Sequence, residues 1–235
     1  MSDISRNLTE VLKRIDSACL RAGRQSSEVQ LIAVSKTFPA EAVRDVVDAG
    51  HLHLGESRWQ EAEPKIALLP GFLHWHFIGR VQRNKLRKIL PCFDVIHAVD
   101  SLSMASAVNE LAKELGLFPK VFLQVNVGEE ASKGGFEPVA LRAEMDRLFA
   151  LERLEILGLM CIPPATAESE LARPWFVMLR DLRDVLVRES GVPLPFLSMG
   201  MSEDFEVAIE EGATHVRVGS AIFGKRAYRM DGELG

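Results

Sequence analysis

Lys36 is a charged residue in a position where the surrounding sequence predicts a buried strand. It follows the apolar residues 31–34 and Ser35, and Pro39 ends the segment. Because residues 31–34 do not alternate with polar residues, they are typical of a parallel strand covered on both faces. Ligands bind at the carboxyl ends of such strands. Lys36 is therefore either a solvated residue just past a strand or an amine that desolvation prepares to attack a carbonyl group.

The segment LSMGMSED at residues 197–204 predicts an anion-binding turn. We expect a strand that ends at Gly200, followed after Met201 by a helix that Ser202 caps, with Glu203 and Asp204 in its first turn. Backbone N–H groups at a helix start bind anions, and Gly200 would allow the backbone to approach closely. The alternative is that Ser202 is an ordinary N-cap residue.

A third candidate segment, VRVGS, ends the last predicted strand. Strand alternation places Arg217 on the face opposite to its two valine neighbours. In α/β barrels the loops after strands seven and eight commonly bind phosphate, so we expect Ser202, Gly219 and Ser220 to form a phosphate site. Arg217 would then donate to another acceptor of the same ligand, or would instead pair with a carboxylate at the outer rim.

The sequence gives weaker support to other chemistries. His51 and His53, and likewise His74 and His76, are two residues apart, a spacing that places both side chains of each pair on one face of a strand and can hold a metal. No carboxylate or cysteine cluster follows at ligand spacing, so we expect packed or hydrogen-bonded histidines and no metal. The GxSxG elbow, the dinucleotide fingerprint and the Walker loop are absent.

The periodicity of the chain predicts the elements that position these residues. An amphipathic helix over residues 5–22 precedes eight strand segments that alternate with helical ones. We expect strands at residues 31–36, 53–57, 74–79, 95–100, 121–126, 154–162, 196–200 and 215–220. We expect helices at residues 39–50, 57–68, 83–90, 102–115, 138–151, 173–189 and 203–211.

Eight such units are the number that closes a (β/α)8 TIM barrel. We therefore predict an α/β fold, a single barrel domain over residues 1–235 with an extra N-terminal helix. The loops at 128–135 and 163–172 directly follow strands, so we expect them to line the functional face.

Composition excludes several classes of partner. The net charge is -5, from 28 basic and 33 acidic residues, which argues against general nucleic-acid binding. Cys19, Cys92 and Cys161 show no CxxC spacing and are expected to be buried free thiols of a reducing compartment. Neither a signal peptide nor a run of about 18 apolar residues is present, so we expect a cytoplasmic protein without membrane association.

Taken together, the motifs resemble a known family over nearly the whole chain. They are LIAVSKTFP, HLGES, HWHFIGRVQRNK, IHAVDS, QVNVGEEASKGGF, LGLMCIPP and LSMGMSEDFEVAIEEGATHVRVGSAIFG. The sequence is similar to the pyridoxal phosphate homeostasis proteins, single-domain relatives of the N-terminal barrel of alanine racemase.

This resemblance implies that pyridoxal 5'-phosphate binds as a Schiff base on Lys36. It places the phosphate around Ser202, Gly219 and Ser220, and Arg217 near the pyridine nitrogen, where it would keep the ring unprotonated and a weak electron sink. The cofactor-binding residues are therefore expected to be Lys36, Gly200, Met201, Ser202, Arg217, Gly219 and Ser220, and no catalytic residue is assigned.

Two positions depart from the family pattern. Ser57 stands where the family usually has asparagine, and Phe38 stands where it often has a second lysine. The first puts an asparagine contact to the cofactor in doubt, and the second removes an alternative amine. Lys133 matches a lysine that the family tends to keep, and its role stays open.

The resemblance implies a protein that carries or buffers pyridoxal 5'-phosphate in vitamin B6 homeostasis without appreciable turnover. We expect a monomer, with apo forms of pyridoxal-phosphate enzymes as recipients. The alternative is an amino-acid enzyme of the racemase type. Such racemases need a second acid/base from another domain, usually a tyrosine, and Tyr228 is the one tyrosine in this sequence. A metal-dependent barrel hydrolase is a third, weaker possibility.

Overall fold

The computed structural model of the chain describes residues 2–128 and 134–224. Eight strands close into one barrel in chain order. They are β1 (Gln30–Val34), β2 (His53–Glu56), β3 (His74–Phe77), β4 (Val95–Val99), β5 (Lys120–Val125), β6 (Glu155–Cys161), β7 (Phe196–Ser198) and β8 (His215–Val218). Each neighbouring pair is parallel, and β8 closes the barrel on β1 with Arg217 opposite Ile32. The predicted TIM barrel is therefore confirmed.

Helices alternate with these strands and cover the outside of the barrel. They are α1 (Asp3–Arg21), α2 (Ala40–Asp48), α3 (Trp59–Leu68), α4 (Leu86–Ile89), α5 (Leu102–Leu115), α6 (Pro138–Phe149), α7 (Arg173–Ser190), α8 (Phe205–Glu210) and α9 (Ser220–Phe223). Short 3-10 turns at Ser26–Glu28, Arg83–Lys85 and Ser169–Ala172 complete the described elements. Within the two described ranges, no helix is long and apolar enough to cross a membrane.

The predicted extra helix at the amino end is present as α1. It buries Leu8, Val11 and Ile15 on one face and packs against α8 and α9. The Asn7 side chain also donates to the Ile222 carbonyl oxygen at 3.0 Å. The helix thus covers the side of the barrel where the last strand ends.

All eight strands end earlier than the sequence predicts, and three of these differences concern candidate site residues. The Ser35 N–H still donates to the Gly55 carbonyl, but the Phe38 N–H turns back to the Ser35 carbonyl, so Lys36 lies in a turn. Strand β7 stops at Ser198, shortly before Gly200, whose φ of 92° is unsuited to a strand. Strand β8 gives way to α9 at Ser220. In each of the three, candidate site residues lie beyond the strand, in a turn or, for Ser220, at the start of α9.

The inside of the barrel is only partly aliphatic. A small cluster fills part of it, formed by Val95, Ala98, Phe122, Leu157 and Met160. In most barrels of this kind branched aliphatic residues form all the inner layers. Here histidines on β2, β3, β4 and β8 share the interior with that cluster, since the rings of His97 and His215 pack against Phe122. The interior is therefore unusually polar for this fold.

A buried ion pair fixes the turn that carries Lys36. The Lys65 ammonium on α3 lies 2.5 Å from Glu56 Oε1 on β2 and donates to the Ser35 carbonyl oxygen at 2.7 Å. The Ser35 hydroxyl donates to the same carboxylate oxygen at 2.6 Å. Burial raises the pKa of Glu56, and its bonds with Lys65 and Ser35 oppose that shift. The three side chains thus join α3, β2 and the residue just before Lys36.

We predict that Lys65→Met lowers the free energy of unfolding by about 3 to 5 kcal/mol, because it leaves the Glu56 carboxylate buried without its cation. The double variant Glu56→Gln/Lys65→Met should recover part of this loss, since no uncompensated charge remains. Urea unfolding at pH 7 measures both values. The matched control is Arg87→Met, which breaks the exposed Arg87–Glu114 pair and should cost about 1 kcal/mol or less. Equal costs for Lys65→Met and the control would contradict the prediction.

Candidate functional site

A cavity of about 630 Å³ opens at the carboxyl end of the barrel strands. It lies between the ends of β1 and β8 and the loops that follow β6 and β7. Its walls are Val34, Lys36, Phe38, Ile78, residues 162–167, Ser169, residues 201–204, Arg217, Gly219, Ser220 and Gly224. Six of the seven residues expected to bind the cofactor line this cavity. Gly200 is the exception among the residues that the structure describes.

Lys36 lies in the turn between β1 and α2, at one wall of the cavity, and is half-buried. Contacts hold the turn on both sides of this residue. The Thr37 N–H donates to Glu61 Oε2 at 2.8 Å, with Thr37 in the left-handed region at a φ of 71°. The Phe38 ring stacks on Phe223 at a centroid distance of 5.1 Å. The Lys36 backbone is therefore fixed while its side chain reaches the cavity.

The structure corrects the predicted role of Ser202. Helix α8 begins at Phe205, and Asp204 rather than Ser202 is its N-cap residue. The Asp204 carboxylate accepts the Met201 N–H at 2.6 Å, which holds the turn between β7 and α8. Ser202 Oγ instead accepts the backbone N–H groups of Gly219 at 3.1 Å and Ala221 at 3.4 Å. The hydroxyl therefore connects the loop after β7 to the start of α9.

Gly200, Gly219 and Ser220 shape the same wall. Gly200 supports it from behind, because a Cβ there would lie 2.6 Å from the Ala208 Cβ. Gly219 packs against β1, where a Cβ would lie 3.3 Å from the Val34 carbonyl oxygen. Ser220 is the first residue of α9, and the N–H groups on either side of it, those of Gly219 and Ala221, donate to Ser202 Oγ. Hydroxyl and amide groups thus converge where the sequence predicts a phosphate site, and phosphate binding itself stays a prediction.

Arg217 lies inside the barrel at the bottom of the cavity and is only 4% exposed. Its guanidinium donates to Ser198 Oγ at 2.7 Å and to the Cys161 carbonyl oxygen at 2.9 Å. Burial lowers the pKa of Arg217, and the nearby charge of Asp204 opposes this shift. The alternative of a rim arginine paired with a carboxylate is wrong, since no carboxylate in the described part of the chain accepts its hydrogen bonds.

Asp204 is a site residue that sequence reasoning placed in a helix rather than at the cavity wall. It is 9% exposed, and burial raises the pKa of its carboxyl group, opposed by the Met201 amide and by Arg217. The segment SED looks like an ordinary helix start, so the local pattern gave no sign that the carboxylate turns back to an amide three residues earlier. A buried acidic group and a buried cation therefore meet the same cavity.

The histidines are hydrogen-bonded, as expected from the sequence. His53, His76 and His97 form successive contacts inside the barrel. The described residues contain no group of three or more His, Cys, Asp or Glu side chains arranged to hold a metal ion. Motif spacing within one strand identified the first two of these histidines but not His97. The available signal was that all three occupy inward positions on adjacent strands.

Two loops were expected to line the functional face. The loop after β6 does so, because Pro163, Pro164 and Thr166 form part of the cavity wall. The other loop lies partly outside the described residues, which exclude 129–133. Lys133, whose role the sequence left open, falls in that range, and Tyr228 also lies outside the described chain.

Comparison with known proteins agrees with this geometry. The family model described as alanine racemase, N-terminal domain, matches residues 11–227. A pyridoxal phosphate homeostasis protein from Aquifex aeolicus is 45% identical over 222 residues, which is 94% of this chain and 97% of the relative. One from Pseudomonas aeruginosa is 45% identical over 232 residues, with 97% and 98% covered.

Solved structures extend the comparison to the fold. PipY from Synechococcus elongatus with pyridoxal phosphate bound is 40% identical, with a TM-score of 0.82, 94% of this chain covered and 100% of that one. An alanine racemase from Clostridium difficile is 19% identical with a TM-score of 0.73, and the match covers 96% of this chain and 58% of that enzyme. The latter likeness shows the barrel fold alone. With the family model spanning most of its length and these relatives covered almost completely, the chain belongs to the alanine racemase N-terminal domain family, among the members named pyridoxal phosphate homeostasis proteins.

Proposed function

We propose that this chain binds pyridoxal 5'-phosphate in the cavity as a Schiff base on Lys36 and carries or buffers it without appreciable turnover. The observation that carries the proposal is the meeting of three complementary groups in one cavity. Lys36 supplies an amine, Arg217 a guanidinium, and the turns at Ser202 and Ser220 supply hydroxyl and amide groups. PipY, at 40% identity, has pyridoxal phosphate bound.

The residues present fit the chemistry of this cofactor, which supplies a reactive aldehyde, a ring nitrogen and a phosphate. Lys36 Nζ condenses with the aldehyde carbon, and one water leaves as the C=N bond forms. The Ser202 and Ser220 hydroxyls accommodate the phosphate, and the N–H groups of Gly219 and Ala221 hold Ser202 Oγ in place beside it. Arg217 donates to the ring nitrogen and keeps it unprotonated. Gly200 and Met201 shape the turn that brings Ser202 to the phosphate.

The described cavity walls favour storage over catalysis. A racemase needs a proton donor or acceptor on each side of the substrate carbon, and Lys36 serves one side. The other ionisable side chains of the described wall are Glu203, Asp204 and Arg217. Asp204 accepts the Met201 amide in the turn next to Ser202, so its carboxylate is already committed to that turn. We place the protein in the cytoplasm as a single-domain monomer that supplies apo pyridoxal-phosphate enzymes.

We predict that Lys36→Ala abolishes covalent attachment of the cofactor. Wild-type protein incubated with pyridoxal phosphate should show the absorption band of a Schiff base, and borohydride should fix the label to the peptide that contains Lys36. The matched control is Lys113→Ala, which removes an exposed lysine on α5 and should label normally. Persistence of the band and of the label in Lys36→Ala would show that another amine is used.

We predict that the phosphate group contributes much of the affinity. Charge-assisted hydrogen bonds contribute roughly 1.5 to 3 kcal/mol each, so pyridoxal without phosphate should bind more than tenfold more weakly. Gly219→Val should weaken binding of the phosphorylated form, because the new side chain enters the narrow space beside Val34. Ser106→Ala on α5, remote from the cavity, is the control. Equal affinities for the two cofactor forms, measured by equilibrium titration, would remove this site from the proposal.

We predict that the loaded protein does not turn over amino acids at a useful rate. The measurement is solvent deuterium exchange at the Cα of L- and D-amino acids, compared with free pyridoxal phosphate at the same concentration. Rates close to those of the free cofactor are expected, because Lys36 serves one side of the substrate carbon and Asp204, at the described wall, already accepts the Met201 N–H. Exchange several orders of magnitude faster, and lost in Lys36→Ala, would instead identify an enzyme of the racemase type.

A further inference from the structure

One continuous series of hydrogen bonds crosses the barrel interior and ends on Arg217. His53 Nδ1 on β2 lies 3.1 Å from His76 Nε2 on β3, and His76 Nδ1 lies 3.0 Å from His97 Nε2 on β4. His97 Nδ1 lies 2.8 Å from Ser198 Oγ on β7, which accepts from the Arg217 guanidinium at 2.7 Å. The series therefore joins five strands, from the amino end of the barrel to the cavity.

The chemistry of Ser198 sets the direction of this series. An arginine is always a donor, so Ser198 Oγ accepts from Arg217. Ser198 is completely buried, and among the described residues its hydroxyl contacts only Arg217 and His97. Its hydrogen finds an acceptor only if it points at His97 Nδ1. The opposite arrangement would leave a buried hydroxyl hydrogen unpaired, which is unfavourable.

This direction fixes the tautomer of each ring in turn. With Nδ1 accepting from Ser198, a neutral His97 carries its proton on Nε2 and donates to His76 Nδ1. His76 then carries its proton on Nε2 and donates to His53 Nδ1. His53, which is half-buried, presents its own Nε2–H at the amino end of the barrel. Every donor therefore points away from the Arg217 cation.

The surroundings favour neutral rings. Burial lowers the pKa of His76 and His97 well below its usual range, and lowers the pKa of His53 to about 4. The charged and titratable groups near the series are Arg217 itself, Cys161, Asp204, Asp94 on the β3–β4 side, and the other histidines: His51, His74 and His215. No carboxylate in the described chain accepts a hydrogen bond from the three rings of the series.

We propose that Ser198, His97, His76 and His53 act as one relay of positioning residues that holds Arg217 in its cofactor-facing orientation, with each imidazole protonated on Nε2. The relay gives the buried guanidinium an acceptor, Ser198 Oγ, whose own hydrogen is donated to His97 as the first of three successive hydrogen bonds, and hydrogen bonds in such chains strengthen one another. The relay also restrains sideways movement of the Arg217 side chain, because Ser198 on β7 is itself held by His97 on β4 across the barrel. The orientation of Arg217 toward a pyridine nitrogen rests on the proposed function, whereas the tautomers do not.

The first test uses the protein without cofactor. Histidine ring nitrogens labelled with ¹⁵N are assigned through single His→Gln variants, and long-range ¹H–¹⁵N correlation spectra at pH 7.5 report which nitrogen of each ring is protonated. We expect pure Nε2–H tautomers for His76 and His97. Arg217→Met should convert them to a mixture of tautomers, because the cation no longer sets the direction. Nδ1–H tautomers or imidazolium rings in the wild-type protein would overturn the relay.

The second test measures the effect of the relay on cofactor binding. Ser198→Ala should raise the dissociation constant of pyridoxal phosphate at least tenfold, but should change that of 1-deazapyridoxal phosphate, which has no ring nitrogen, less than threefold. The matched control is His215→Gln. His215 also lies in the interior, 6.1 Å from the His97 ring, but its Nδ1 bonds to Thr214 rather than to the relay. This control should bind both compounds within twofold of wild type.

The outcomes separate the two proposals. If wild-type protein binds neither compound, the proposed function fails, while the tautomer measurement still decides whether the relay exists. If Ser198→Ala weakens both compounds equally, or weakens neither, the residue does not position Arg217 and the inference is wrong. Should Ser198→Ala fail to fold, His97→Gln interrupts the same relay one residue further along and is compared with His215→Gln in the same way.

Discussion

Much of this structure depends on one constraint. The Arg217 cation is buried, and no carboxylate among the described residues accepts its hydrogen bonds. A buried charge is costly unless polar groups replace the water that it loses. The barrel supplies Ser198 and the Cys161 carbonyl as acceptors, with Asp204 as the nearby opposite charge. Ser198 on β7 occupies an interior position that an aliphatic side chain fills in most barrels of this kind. In the relay proposed above, the histidines of the interior act on the same cation through Ser198.

The amine side of the cavity uses a different solution to the same problem. Ser35 is buried directly before Lys36, and its carbonyl and hydroxyl groups are bound by Lys65 and Glu56. That ion pair lies outside the cavity wall, so its charges are matched to each other rather than to a ligand. A half-buried lysine can then project from a rigid turn into the cavity. Under the proposed function, the two sides differ because Arg217 has to keep its charge in place while Lys36 has to present a reactive amine.

The alternation of helices and strands made the barrel predictable, because hydrophobic periodicity and glycine caps are local properties of the sequence. The predicted strand ends and turn segments directed attention to Lys36, Arg217 and the two serine turns, and the family resemblance then assigned these residues to one cofactor. The exact partner of Ser202 was not predictable, since it depends on how close α9 comes to the loop after β7. The hydrogen bond between His97 and Ser198 was also not predictable from the sequence, because these residues are 101 positions apart and meet only across the closed barrel.

Under the proposed function, these features give a physical reason why the cavity would suit storage better than catalysis. A catalyst that uses this cofactor as an electron sink benefits from a protonated ring, and a carboxylate at the ring nitrogen favours that state. Arg217 is a donor, and its acceptors lie behind it in the barrel interior, so it opposes protonation of a ring placed before it. Holding a cation there requires several buried polar groups, but it does not require a second base at the substrate carbon. Under the proposed function, the same arrangement would keep a bound aldehyde poorly activated, as a carrier of a reactive cofactor requires.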